Sequence, residues 1–179
     1  QMGRHWLDVV RYADTAGENC DMPVDDAWRY RNYVVEAFNK DKPFDRFISE
    51  QLAGDIMAKT GAKISPERYS ELITATGYLA ISRRHGHDAK KDHYLTIEDT
   101  IDTLGKSFLG LTIACARCHD HKFDPINQTE YYQLTAALGG LRHGQRDVPQ
   151  VEWAQMVKEL KLTGEQKPKF QALQKELSG

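Results

Sequence analysis

At 179 residues the chain is long enough to bury one hydrophobic core, and its 40% hydrophobic and 28% charged content is that of an ordinary globular protein, which excludes the disordered and fibrous classes. Lys and Arg number 24 against 26 Asp and Glu, so no net field draws the chain toward nucleic acid or acidic lipid. No stretch approaches the roughly 20 apolar residues that span a bilayer, and this segment is expected not to insert into a membrane.

The apolar residues recur at spacings of three and four rather than two, which predicts an all-α fold. Trp6, Val9, Val10 and Ala13 form a first helical stripe, ended by Asp14-Thr15-Ala16-Gly17. Because Arg4-His5-Trp6-Leu7 already reads as helix, the chain is expected to be a piece of a longer precursor, and the missing export signal then says nothing about compartment. A second helix starts after Asp25 or Asp26 and carries Tyr30, Val34 and Phe38 down one side. The acids around Asp14, Asp21, Asp25 and Asp26 could suggest a calcium or acid/base cluster, but capping and a solvated loop explain them more simply. Pro43 opens a third helix with Phe44, Phe47, Ile48 and Leu52 inward, and Ser65-Pro66-Glu67 opens a fourth that runs up to Gly77.

Residues 82–94 form a polar, His-rich connection. Thr96, with Asp99 three residues on, then starts a fifth helix through Ile97, Ile101, Leu104, Phe108 and Leu111, aimed straight at the cysteines. A sixth follows Asn127 with Tyr131, Leu134 and Leu138, and Gly139-Gly140 stops it. From Gly144 the composition shifts to Lys, Gln and Glu, with thin stripes at Trp153, Met156, Val157, Leu160 and at Phe170, Leu173, Leu177. The expected architecture is a compact domain of about six helices over residues 1–143 with a peripheral helical tail or linker over residues 144–179.

The chemistry lies in Cys115-Ala116-Arg117-Cys118-His119, the C-x-x-C-H pattern of covalent haem attachment. Two thiols one turn apart can add to the two vinyl groups of a haem, and the next histidine then reaches the iron as proximal ligand. With 3 Cys and 7 His in the chain, random placement gives this pattern roughly 0.002 times. The competing reading is a zinc site from Cys115, Cys118, His119 or His121, and a fourth ligand such as Cys20; a disulfide among the three cysteines is the third. No second C-x-x-C or H-x-H half stands at finger-like spacing, and a disulfide leaves the adjacent histidine unexplained.

Phe108, Leu109, Leu111 and Ile113 before the thiols, and Phe123, Pro125, Ile126, Tyr131 and Tyr132 after them, are candidate pocket walls, though each is equally suited to a core. His119 needs its second ring nitrogen held, and a backbone carbonyl between Asp120 and Pro125 is the natural acceptor. For the sixth iron position the polar connection supplies His87 or His93; His87 is the choice, with an open or water-filled position as its rival, and His121 is given a supporting or surface role. No G-x-S-x-G, phosphate-cradling loop or H-E-x-x-H occurs.

Six runs resemble the planctomycete-type cytochrome c domain. They are His5–Asp14, Trp28-Arg29-Tyr30-Arg31-Asn32, Phe44-Asp45-Arg46-Phe47, Glu50-Gln51-Leu52-Ala53-Gly54-Asp55, Ala75-Thr76-Gly77-Tyr78-Leu79 and, most specific, Cys115–Ile126. The resemblance spans about residues 1 to 140. It implies a haem c domain of large secreted or periplasmic proteins, flanked by further domains and often encoded near sulfatases and polysaccharide-degrading enzymes. Three functions follow: an electron-transfer module serving a redox partner domain or protein, a haem enzyme of peroxidase or oxidase type, and a zinc- or disulfide-stabilised interaction module. The expectation is the first, an electron carrier rather than a catalyst on its own.

Overall fold

A computed structural model describes residues 1–16, 23–60, 64–81 and 92–143. The described chain is helical, as its periodicity predicts, and its one extended feature is an isolated antiparallel bridge between Thr15 and Pro23. The tail beyond residue 143 lies outside the described residues, as do Cys20 and His87.

Helix α1 (Met2–Val9) ends a turn earlier than its stripe suggests, because Arg11 takes a left-handed conformation with φ 59°. Val9 is consequently exposed while Trp6 and Val10 are buried. Helix α2 (Ala27–Asn39) and α3 (Phe44–Thr60) follow, the latter kinked where Ala53 leaves helical geometry. Helix α4 (Pro66–Ala75) begins as its sequence predicts: Ser65 is extended, its hydroxyl accepts from the Arg68 N–H at 3.2 Å, and Pro66 occupies the first turn. A single further turn, α5 (Gly77–Ala80), adds a break at Thr76 that the stripe does not reveal.

These five helices enclose the main core of Trp6, Val10, Tyr30, Tyr33, Val34, Phe47, Ala75 and Tyr78. Polar groups at its centre bond to one another: Trp6 Nε1 donates to Tyr30 Oη at 3.1 Å and Tyr30 Oη donates to Gln51 Oε1 at 2.6 Å. Fully buried Glu50 accepts from Tyr33 Oη at 2.9 Å and is paired with Lys42 and Arg68. Half-exposed Glu71 binds the same two cations, which ties α3 to α4.

Helix α6 (His93–Leu104) starts three residues before the expected Thr96, and Thr96 is buried within it rather than capping it. Nor does it run straight into the cysteines. It passes into a π turn at Gly105–Leu109, and Gly110 then reverses the chain with φ 66°, a conformation glycine adopts without steric cost. A separate 3₁₀ turn, Ile113–Arg117, carries the first cysteine, and α7 (Gln128–Leu138) completes the unit.

The second core, Ile97, Ile101, Ile113, Ala116 and Tyr131, sits between α6, the 3₁₀ turn and α7. Several links join it to the main core. Arg11 forks onto the Asp99 carboxylate at 2.8 Å and reaches Thr103, while Phe108 from the π turn packs 5.5 Å from the Trp6 ring and 5.0 Å from Tyr78.

Candidate functional site

The motif is a folded turn with buried and exposed faces. Residues three apart in a 3₁₀ turn eclipse one another, so Ile113 and Ala116 point together into the second core, at 5% and 0% exposure. Cys115 and Cys118 share the opposite register, and both are exposed free thiols. The sequence separates the faces by spacing alone: apolar at 113 and 116, sulfur at 115 and 118.

Three contacts from the first turns of α7 hold this arrangement. Gln128 Nε2 donates to the Arg117 carbonyl at 3.0 Å, Tyr132 Oη donates to the same oxygen at 3.2 Å, and the Gln128 backbone N–H donates to Asp120 Oδ1 at 2.8 Å. The start of α7 is itself fixed by a capping box, in which Asn127 Oδ1 accepts from Glu130 N–H and Glu130 Oε2 accepts from Asn127 N–H. On the other side Arg117 Nη1 pairs with Glu98 Oε2 of α6 at 2.6 Å. Contact with Cys118, and then with Glu98, raises the Arg117 guanidinium above its ordinary value. Arg117, the residue before the second cysteine, is thus anchored to α6 by its side chain and to α7 by its carbonyl.

The two histidines are held in opposite tautomers. His119 Nδ1 lies 2.7 Å from the Asp120 carbonyl oxygen, which can only accept, so Nδ1 carries the proton and Nε2 keeps its lone pair. That carbonyl falls within the loop the sequence points to. His121 is the reverse: its Nδ1 accepts from the backbone N–H of Asp124 at 2.9 Å and of Phe123 at 3.3 Å, so Nε2–H donates to Thr112 Oγ1 at 3.2 Å. The Asp124 carboxylate also lies 3.2 Å from His121 Nδ1, but two amide protons already occupy that lone pair and decide its role. With both nitrogens committed, His121 braces the loop and has no lone pair to offer a metal.

This bears on the rival metal site. His121, one of the two histidines considered for zinc, is engaged elsewhere, and Cys20, the fourth ligand considered, lies outside the described residues. The donor set fits a haem better: two exposed thiols at three-residue spacing, and after them an exposed imidazole with a lone pair at Nε2.

The candidate walls divide. Phe108 joins the main core, Ile113 and Tyr131 the second, and Leu111 and Ile126 pack against the second. Leu109, Phe123 and Tyr132 remain as exposed apolar surface, Phe123 at 83%. Of the histidines weighed for the sixth position, His93 sits at the start of α6 with its ring 5.7 Å from that of His143. A cavity of about 270 Å³ opens elsewhere, beside α2, α4 and α5, where it is lined by Asp26, Arg29, Tyr30, Thr76, Leu79 and His143 among others and by none of the motif residues.

The sequence points to the loop that holds the Asp120 carbonyl but not to the Asp120 carboxylate, Arg117 or Gln128 as parts of the site. The Asn127-x-x-Glu130 signature was the available signal, since it fixes the start of α7 and brings the Gln128 N–H to a defined place next to the motif.

No curated protein and no solved structure matches the chain. A family model described as "PSCyt2: Protein of unknown function (DUF1549)", a name that denotes a cytochrome-like domain, matches residues 1–143. The chain belongs to that family.

Proposed function

We propose that this chain is the haem-carrying module of a c-type cytochrome, serving single-electron transfer to a partner domain or protein outside the cytoplasm. The observation that carries the reading is the motif turn, with Cys115 and Cys118 free and exposed and His119 keeping an open Nε2 while Nδ1 is bound to a carbonyl. Each thiol would add across one vinyl group: the S–H bond breaks, a C–S bond forms, and the hydrogen passes to the terminal vinyl carbon, with no net oxidant required. His119 Nε2 would bind the iron, and haem held there would supply a reversible one-electron couple. The chain's own part is to hold the imidazole, present the thiols and offer apolar surface at Leu109, Phe123 and Tyr132. Extracytoplasmic location follows from the chemistry, since covalent attachment is performed by an export and ligation machinery.

The test is a pyridine haemochrome spectrum of protein made in a host competent for cytochrome c maturation. A c-type spectrum, lost in the double variant Cys115→Ala, Cys118→Ala, supports the proposal; a colourless product overturns it. The spin state separates carrier from enzyme. Six-coordinate low-spin iron is expected of an electron carrier, whereas a high-spin spectrum that shifts on adding cyanide or peroxide moves the assignment to a haem enzyme.

A further inference from the structure

We propose that Asp120 is the positioning residue for the iron-binding imidazole, and that it acts through the first N–H of α7. The inference deepens the haem reading, and rests on it only for the arm that uses haem-loaded protein. Asp120 makes two contacts of different kinds. Its backbone carbonyl accepts from His119 Nδ1–H at 2.7 Å, and its carboxylate accepts from the backbone N–H of Gln128 at 2.8 Å.

Gln128 is the first residue of α7, and its N–H is one of the four that a helix cannot satisfy internally. The capping box already satisfies the N–H groups of Asn127 and Glu130, so Asp120 closes a third of these vacancies and places a negative charge at the positive end of the helix. The helix is in turn fixed by its capping box and by buried Tyr131. A rigid element therefore grips the side chain of Asp120, which leaves its carbonyl at a set position beside His119. One residue converts the placement of α7 into the orientation and tautomer of the ring.

An imidazole held by a carbonyl at Nδ1 is also a more basic ligand at Nε2, so the contact tunes the bound iron as well as aiming the ring. Loss of the grip would free the Asp120 carbonyl from its set position, with the rest of the loop still braced by His121, mix the two His119 tautomers and make His119 a weaker donor, which destabilises ferric relative to ferrous iron.

Four variants separate this route from a general loosening of the fold. Asp120→Ala removes the acceptor, and Asp120→Asn retains an oxygen at the same place. Gln128→Pro deletes the backbone N–H together with the amide side chain, at a first-turn position where proline is tolerated, and Asn127 before it is extended at φ −87°, ψ 162°, as a residue preceding proline should be. Gln128→Ala keeps the N–H and loses the amide side chain.

The first readout is long-range ¹⁵N–¹H NMR of the haem-free domain, which reports which nitrogen of His119 is protonated. The Nδ1–H form should dominate in wild type, Asp120→Asn and Gln128→Ala. In Asp120→Ala and Gln128→Pro its ratio to the Nε2–H form should fall roughly three- to tenfold, the loss of one hydrogen bond. The His121 signal, unchanged in all four, certifies that the fold is intact. The second readout is the midpoint potential of matured protein, which should rise in Asp120→Ala and Gln128→Pro alone. A wild-type tautomer ratio in Asp120→Ala overturns the proposal, and so does a shift in Asp120→Ala without one in Gln128→Pro. Failure of wild type to take up haem would sink the haem reading and leave the tautomer test to decide this one.

Discussion

The thiols and the residue two before them make a sharp contrast within one turn. Cys115 and Cys118 are exposed, so replacing both by alanine in haem-free protein removes little that the fold uses. Exposed substitutions of this kind change stability by about 0.5 kcal/mol or less each, and the melting temperature of the double variant should stay within roughly 4 °C of wild type. Ile113 is 5% exposed and packs with Ile97, Ile101, Ala116 and Tyr131. Truncating it to alanine removes buried methyl groups and leaves a cavity, at a cost of about 3 kcal/mol and a fall in Tm of roughly 6–12 °C. The assay is thermal unfolding followed by far-UV circular dichroism on protein from a cytoplasmic host, which lacks the attachment machinery and yields the haem-free chain. The expected ranking is double cysteine variant close to wild type, Ile113→Ala far below. If instead the cysteine variant lost its helical signal or melted as low as Ile113→Ala, the sulfurs would be structural and the division of the turn into a packed face and a reactive face would be wrong.

Glu50→Gln should destabilise the domain by about 2–4 kcal/mol at neutral pH, less than a wholly isolated buried pair because Glu71 still neutralises Lys42 and Arg68. Burial alone would raise the Glu50 carboxyl, but hydrogen bonds from Arg68 and Lys42 outweigh it and hold it below its ordinary 4.5. Its contribution is therefore fully present above that value and is lost as pH falls through the lowered one, so urea midpoints of wild type and Glu50→Gln should converge in acid; parallel pH profiles would contradict this. Gly105→Ala would place a methyl group 2.8 Å from Ile113 Cγ1 and 2.9 Å from the Leu111 carbonyl oxygen, and a backbone oxygen cannot rotate away. It should lower stability by about 1–3 kcal/mol in a denaturant titration, and an unchanged midpoint would show that the π turn tolerates the shift.

Helix starts were the most legible part of the fold because their determinants are local. Ser65-Pro66 and Asn127-x-x-Glu130 each carry their own hydrogen-bond logic, and both helices begin there. Helix ends and breaks were less legible. Nothing in the apolar spacing separates an α turn from the π turn at Gly105–Leu109, so the fifth helix reads as continuous when it is broken before the motif. Thr96 looks like a cap because its spacing to Asp99 is right, yet Asp92 and His93 begin the helix and bury Thr96. Arg11 stops α1 in a left-handed conformation closed by local backbone bonds, Arg11 N–H to the Asp8 carbonyl and Tyr12 N–H to the Leu7 carbonyl, and without a glycine at that position nothing in the sequence marks the stop.

Within the candidate site, the identity and spacing of Cys115, Cys118 and His119 were readable because chemistry demands them in one order. The walls were not, since hydrophobicity says that Phe108 and Ile113 seek burial without saying in which of two cores. The same limit hid Glu50 and Gln51, fully buried charged and polar groups whose partners lie on α2, α4 and the turn between α2 and α3. The Asp120 carbonyl lies in the stretch the sequence names, but its carboxylate is not legible for a related reason: its partner is a helix eight residues further along the chain.

A c-type cytochrome is defined by a covalent bond to its haem, and mass measures that bond most directly. Matured protein, unfolded in acid so that no loosely held group survives, should weigh its amino acids plus one haem, with the added mass confined to the peptide that contains Cys115 and Cys118. A chain of bare polypeptide mass from a host that matures other c-type cytochromes in the same preparation would contradict it.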